Sequence, residues 1–283
     1  MQKKIFALLM FALFAVFATA QEHKYHPQTE AELKALVEDL SINLGTIDTS
    51  KITDMSGLFY RTERKDFSGI ETWDVSNVKN MRWMFLFAES FNQNINSWDV
   101  SNVKDMSLMF SKASSFNQPL DKWNVSKVEN MHGMFAGALY FNQPLDKWNV
   151  GNVKDMSSMF LFAESFNQNI NAWDVGSVEI MEHMFSDAKS FNQPLDKWNV
   201  SNVGSMEGMF YEAKSFNQNI NSWDVSQVED MEHMFRGAES FNQNINAWDV
   251  SNVKYTDGMF ERSPLKKNPP QWYKKWLKKW FKK

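Results

Sequence analysis

The sequence predicts an α/β solenoid of about nine coils, each a short helix followed by a short extended strand and turn. One observation is a 25-residue repeat, marked by evenly spaced tryptophans. Another is that a unit this short can cover its apolar residues only with its neighbours. A third is composition, because 43% hydrophobic and 15% aromatic residues supply a continuous core and are too many for disorder. The tryptophans are Trp73, Trp98, Trp123, Trp148, Trp173, Trp198, Trp223 and Trp248.

Residues 1–20 have the pattern of a secretory signal peptide. Lys3 and Lys4 precede an apolar run over 5–17, and the small residues 18–20 form a cleavage site. The run is short for a membrane-spanning helix. We expect cleavage after Ala20 and a mature chain that is secreted or held at the cell surface. There is no cysteine to form a disulfide or a thiol site.

Residues 21–46 are predicted to form a linker and an N-terminal capping helix. Thr29 and Glu32 have capping-box spacing. Leu33, Val37 and Leu40 lie on one helical stripe, together with Leu36. A single helix of this kind can cover the open core of the first coil.

Residues 47–263 form the predicted repeat solenoid. The first coil carries Ile47 where the others carry tryptophan. In the next coil, the spacing of the apolar residues between Val78 and Ala88 predicts about three helical turns, with Ser76 as N-cap. Residues 91–100, rich in Asn and Asp, predict an extended segment and a turn, with the tryptophan in the corner.

An Asn-Gln pair recurs in seven coils, beginning at Asn92. Stacked coils would place these amides ~4.8 Å apart, the spacing at which amide side chains form ladders. A structural role is favoured over a binding role, because such a ladder satisfies backbone groups in the turns.

Charge and motifs exclude several functions. Apart from both termini, residues 21–263 carry 20 basic and 34 acidic side chains, a net charge of −14, which argues against nucleic-acid binding. No nucleophile elbow, phosphate loop or metalloprotease motif is present. Glu179 with His183, and Glu229 with His233, are read as solvated pairs and not as metal ligands. We therefore expect no enzyme activity, no metal and no cofactor.

The coils come in two versions that differ in surface charge. One has Asp after the tryptophan, and the other has Lys before the tryptophan and Asn after it. The variable charges are candidate binding residues on an otherwise constant solenoid, although turn chemistry is the favoured explanation for the Asp and repeat duplication alone could produce the pattern. The candidates are Lys122, Lys147, Lys197, Asp99, Asp174, Asp224 and Asp249.

The unit W-D-V-S-N-V-x-x-M-x-x-M-F-x-x-A-x-x-F-N-Q resembles the leucine-rich-like repeats of bacterial surface proteins of the BspA type, also described as a domain of unknown function in mycoplasmas. The likeness covers roughly residues 30–270. It implies an extracellular, leucine-rich-repeat-like solenoid, and some relatives are adhesins for host matrix proteins or other cells. It implies no catalytic residues.

Residues 264–283 lie outside the repeat pattern and carry eight lysines with no acid. Their period of four predicts an amphipathic helix that starts after Pro269-Pro270. Its aromatic face either contacts an anionic membrane or envelope or caps the last coil. The residues concerned are Trp272, Trp276, Trp280, Phe281, Lys274, Lys275, Lys278 and Lys279.

The function that this pattern predicts is adhesion: a secreted or surface-attached rod that presents an extended face to host matrix proteins, glycans or other cells. Two alternatives stay open. One is a structural envelope protein attached through the cationic tail, and the other is a membrane-active effector.

Overall fold

The computed structural model describes residues 23–280, with side chains up to Lys278. It is a solenoid of nine stacked coils between two terminal helices, α1 (Glu30–Glu38) and α2 (Gln271–Trp280). Short 3₁₀ helices span Leu44–Thr46, Ile70–Thr72 and Pro264–Lys266. The predicted signal peptide lies outside the described residues.

Helix α1 lies within the segment predicted to cap the solenoid. The Thr29 hydroxyl accepts a hydrogen bond from the Glu32 backbone N–H, while the Glu32 carboxylate accepts one from the Gln28 N–H. This is a capping box whose second bond is displaced by one residue. Leu33 and Val37 are fully buried in the core. Leu36 is half-buried and Leu40 is exposed.

The helix predicted in each coil is wrong. Between α1 and α2 the described chain contains no α-helix. The segment from Ser76 to Ala88 is instead a succession of tight turns. From Met84 onward, alternate N–H groups donate to the carbonyl three residues back, as the Met84 N–H does to Met81 O at 3.2 Å. These turns bury the same apolar residues as a helix would, so the apolar spacing alone could not separate the two structures.

The remaining N–H groups of the turns donate to the next coil. Met81, Trp83, Phe85 and Phe87 donate to carbonyls 24 residues ahead, at 2.9–3.0 Å. The same four bonds join each of the first eight coils to its successor. In a helix these N–H groups would donate to carbonyls of the same helix, whereas in the stacked turns they donate to the next coil and join the two coils.

This ladder requires two left-handed residues in every coil. The second and fourth donors have φ between 52° and 72°, here called the left-handed positions. Six of the eighteen are glycine and twelve carry side chains, at a cost of about 1–2 kcal/mol each. They are residues 57/61, 83/87, 108/112, 133/137, 158/162, 183/187, 208/212, 233/237 and 258/262.

Regular strands are also absent from the described coils. Each coil contributes one residue to a line of isolated parallel bridges, exemplified by Asn80 with Asp105. The bridge falls in the segment predicted as helix, not in the segment over 91–100, which has the predicted turn at 96–97 but no regular strand. The solenoid is confirmed, but the α/β content expected of its coils is not.

The core consists of stacked aromatic rows. Phe110 and Phe135 of adjacent coils are 5.7 Å apart and nearly parallel, and Phe110 stacks on Phe116 of its own coil at 4.1 Å. Each repeat tryptophan is at most 5% exposed. Its indole N–H donates to a carbonyl of the preceding coil, as Trp148 does to Leu120 O at 3.0 Å. Neighbouring coils therefore cover the tryptophans, as predicted.

The amide ladder is confirmed. The Asn92 side-chain oxygen accepts hydrogen bonds from the Asn117 N–H at 3.0 Å and from the Gln118 amide at 3.1 Å. The same pair of bonds recurs from coil to coil through Asn242 and Gln243.

Helix α2 caps the last coil. Trp272 stacks on Trp248 at 6.3 Å and donates to Ile245 O at 2.8 Å, so it substitutes for the tryptophan of a tenth coil. Tyr273 packs edge-on against Phe260 at 4.9 Å. The helix begins just after Pro270, as predicted.

Candidate functional site on the turn face

The lysines proposed for binding lie apart from one another on the surface. Lys122, Lys147 and Lys197 are exposed at the corner before each tryptophan. Lys147 forms an exposed pair with Asp121 at 3.7 Å. Backbone N–H groups of Lys122 and Lys197 donate to asparagines of the preceding coil. The row is interrupted in the intervening coils, and nothing in the structure tests its role in binding.

The proposed aspartates have an evident structural role. The Asp99 carboxylate accepts the Ser101 N–H at 3.0 Å, and Asp174, Asp224 and Asp249 make the same bond two residues ahead. Hydrogen bonds from Ser101 lower the pKa of Asp99. This confirms turn chemistry, but the turn does not begin a helix. The serines predicted as helix N-caps are the donors of these turns.

The predicted tail residues divide into two groups. Trp272 and Trp276 are half-buried against the last coil, and the Trp276 indole N–H lies 3.4 Å from Val253 O. Lys274, Lys275 and Lys278 are exposed. Lys279 and Trp280 end α2, but their side chains, and Phe281 entirely, lie outside the described part. The cap role is supported, and membrane contact stays a prediction.

A different surface of the solenoid exposes large apolar side chains. We call it the turn face: in the second coil it presents Arg82, Trp83, Leu86 and Phe87, and in other coils the equivalent residues. Its N-terminal half exposes large apolar side chains, including Tyr60 (46%), Trp83 (39%) and Phe162 (40%). We define the aromatic patch as Tyr60, Arg61, Arg82, Trp83, Leu86, Phe87, Leu108, Lys112 and Phe162.

Cations are interleaved with the rings of the patch. Arg61 lies 5.3 Å from the Tyr60 ring and 5.0 Å from the Phe87 ring. Arg82 stacks on Trp83 at 4.2 Å. Among the described residues neither arginine has an acidic partner within ion-pair distance. The arginines are held in place by aromatic faces, and their charge is available to a partner.

The patch occupies backbone positions where side chains are costly. Trp83 and Phe87 are left-handed, with φ of 61° and 59°. Two coils later the equivalent residues are Gly133 and Gly137. The fold therefore does not require large apolar residues there, and their strain falls on the exposed surface, as is typical of functional sites.

A missing side chain lets the patch span non-adjacent coils. A Cβ on Gly137 would lie 2.6 Å from Cδ of Lys112, because the lysine crosses that glycine. Its ammonium reaches the Phe162 ring, 5.2 Å away and two coils on. In the C-terminal half, Glu212 crosses Gly237 in the same way and pairs with Arg262.

The C-terminal half of the turn face is acidic. Glu182, Glu207, Glu232 and Asp257 occupy one position in four successive coils, here called the acidic row. Burial raises the pKa of Glu232, and the charges of Asp230, Asp257 and Glu207 raise it further. Like charges in a row repel one another, so this half of the face is suited to a cationic partner.

Three of the four residues considered as metal ligands form ion pairs with residues of neighbouring coils. Glu179 lies 3.8 Å from Lys154, and Glu229 lies 2.6 Å from Lys254. His183 is 3.7 Å from Glu207 of the next coil. Without a helix, the i, i+4 spacing no longer brings each Glu near its His. No cluster of three potential metal ligands occurs in residues 23–280.

The sequence reasoning missed the aromatic patch because its residues were assigned to a helix surface. One signal was available. The position shared by Trp83 and Leu108, and the one shared by Phe87 and Phe162, vary from coil to coil among large apolar residues, glycine and polar or charged residues. From the second coil on, the core positions of Met84 and Phe85 between them stay constant.

These coils and surface rows define a tandem-repeat solenoid protein. None of the helices described in residues 23–280 combines the length and hydropathy needed to cross a membrane. The chain belongs to the family described as "Mycoplasma protein of unknown function, DUF285", whose model matches residues 31–144, 120–212 and 194–280. No curated protein matches the chain.

Proposed function

We propose that the protein is an extracellular adhesion protein whose aromatic patch binds a protein partner. The exposed Tyr60, Trp83 and Phe162, interleaved with cations free of ion pairs, carry this proposal. Contiguous exposed apolar surface marks interaction sites. Trp, Tyr and Arg are also the residues that contribute most to binding energy in protein interfaces.

The repeats themselves support binding over a purely structural role. A chain selected only for stacking would favour glycine at the left-handed positions, as at Gly133 and Gly137. In the second coil Trp83 and Phe87 occupy these positions and are surface-facing. Retaining them costs stability, which a gain in binding would offset.

Two features of the sequence support an extracellular location. The signal-peptide pattern of residues 1–20 supports export, and the resemblance to BspA-type surface repeats supports adhesion to host matrix proteins, glycans or other cells. A protein partner is favoured over a glycan because the patch combines apolar groups with unpaired cations. No sequence motif, and no residue cluster in the described residues 23–278, supports an enzyme, a cofactor or a nucleic-acid partner.

The test compares the mature chain with a variant in which two patch residues are replaced by the residues found at the same positions of the fourth coil. Trp83→Gly/Phe87→Gly copies Gly133 and Gly137, so the fold should be retained. The matched control, Leu139→Ser/Tyr140→Ser, removes exposed apolar side chains elsewhere on the solenoid. Binding is measured against immobilised matrix proteins, glycans and whole cells.

We expect the wild type and the control to bind a protein or a cell, and the patch variant to lose at least about tenfold in affinity, roughly 1.4 kcal/mol. Equal binding by all three chains would contradict the role of the patch. Binding to glycans alone would transfer the proposal to a carbohydrate partner. Absence of binding to every target would contradict adhesion.

Attachment through the cationic tail is a second candidate role. Lys274, Lys275 and Lys278 form an exposed cationic row on α2, while Trp272 and Trp276 stay packed on the last coil. Replacing the three lysines by glutamine keeps the cap and removes about 1 kcal/mol of attraction per lysine near an anionic surface. Unchanged retention on cells would exclude the tail as the attachment.

A further inference from the structure

We propose that the partner of the aromatic patch is a second copy of this chain, docked antiparallel on the turn face. This inference rests on the proposed function and names the partner of the same site. The interaction is thus homotypic, between chains that point in opposite directions.

The arrangement follows from symmetry. A two-fold axis parallel to the turns, crossing the fifth coil at Ser158 and Phe162, reverses the order of coils and keeps each surface row opposite itself. The second coil then faces the eighth, the third faces the seventh, and the fourth faces the sixth. Every contact away from the axis occurs twice.

Charges of opposite sign meet in this arrangement. Arg82 faces Glu232 of the other copy, and Lys112 faces Glu212. Glu232, which has like-charged neighbours in the acidic row of its own chain, gains the cation of Arg82, which has no acidic partner within ion-pair distance in residues 23–280. Complementary potentials of this kind set the orientation of a complex.

Shapes are complementary as well. Phe87 faces Gly237, and Leu108 faces Gly208, so large apolar residues meet positions without a side chain of their own. Those glycines are crossed only by flexible polar side chains, from Glu212 and His183. At the axis the exposed Phe162 rings of the two copies face each other, a contact that aromatic residues favour.

The size of the face suits a weak complex. From the second to the eighth coil, six steps of ~4.8 Å span about 30 Å, and the row of turns is about 15 Å wide. Each copy would bury roughly 500 Å², for a total of about 1,000 Å², the lower limit for a specific interface. Many copies displayed on facing surfaces would add avidity.

Sedimentation velocity of mature chains at increasing concentration tests the proposal with charge reversals. In Arg82→Glu, two pairs of carboxylates face each other across the interface. In Glu232→Arg, two pairs of cations do. We expect each variant alone to dimerise at least about tenfold more weakly than wild type. An equimolar mixture should recover wild-type affinity, because both contacts between positions 82 and 232 in the mixed dimer again join opposite charges.

The outcomes separate this inference from the proposed function. A wild type that stays monomeric at its highest soluble concentration, or a dimer indifferent to either reversal, would overturn the second-copy proposal. So would variants that weaken dimerisation without rescue on mixing. If Trp83→Gly/Phe87→Gly nevertheless loses binding to a foreign protein, the adhesive role stands and only the identity of its partner changes.

Discussion

Replacing Trp148 by phenylalanine tests how the coils are held together. The indole N–H of Trp148 donates to Leu120 O, which also accepts from the Trp123 N–H at 3.1 Å. The carbonyl therefore keeps one partner, and losing the indole bond costs about 1 kcal/mol. The smaller ring removes about 50 Å² of buried area, or ~1 kcal/mol. A residual cavity brings the expected destabilisation to about 2–3 kcal/mol.

The measurement is the free energy of unfolding in urea for wild type and two variants. Trp148 stacks between Trp123 and Trp173, at 6.5 and 6.4 Å. Trp272, by contrast, is half-buried and stacks on a repeat tryptophan on one side only, Trp248, so Trp272→Phe should cost only about 1 kcal/mol. A loss below 1 kcal/mol for Trp148→Phe, or an equal loss for both variants, would refute the view that interior tryptophans join neighbouring coils.

Three further predictions concern the backbone and the acids. Ser158→Gly should stabilise the fold by about 0.5–1 kcal/mol, because it relieves a left-handed residue, whereas Ser158→Val should destabilise it by more than about 1 kcal/mol in the same urea assay. Hydrogen bonds from Ser50 lower the pKa of Asp48 from 3.8 to about 2, so Asp48→Asn should lower the melting temperature at neutral pH. That difference should shrink as pH falls from 3.8 toward 2, and a pH-independent difference would contradict it. The raised pKa of Glu232 means that ionisation opposes folding, so Glu232→Gln should raise the melting temperature at neutral pH but not below about pH 4.5, and an equal rise at both would assign the effect to packing.

The periodic features could be read from the sequence. The repeat length, the burial of the tryptophans, the amide ladder from Asn92 and the cap formed by α1 all follow from residue identity and spacing. Burial and ladder contacts depend only on which residues become neighbours when coils stack. They do not depend on the local backbone within a coil.

The local backbone could not be read in the same way. Val78, Met81, Met84 and Phe85 have helical spacing, but hydrogen bonds to the next coil compete for half of the donors that a helix needs. The acceptors lie 24 residues ahead, outside any local window. Stacking between coils thus overrides the local helical pattern. Because the backbone was predicted as a helix, the position of the aromatic patch on the turn face was missed.

The forward ladder makes the two ends of the rod chemically different. The last coil has four N–H groups, on Thr256, Gly258, Phe260 and Arg262, with no acceptor in residues 23–280. Each interior coil both accepts from its predecessor and donates to its successor. Duplication or loss of one 25-residue unit between existing units therefore leaves both termini facing their own caps. Recombination within the gene can lengthen or shorten the molecule in steps of ~4.8 Å without redesign of either end.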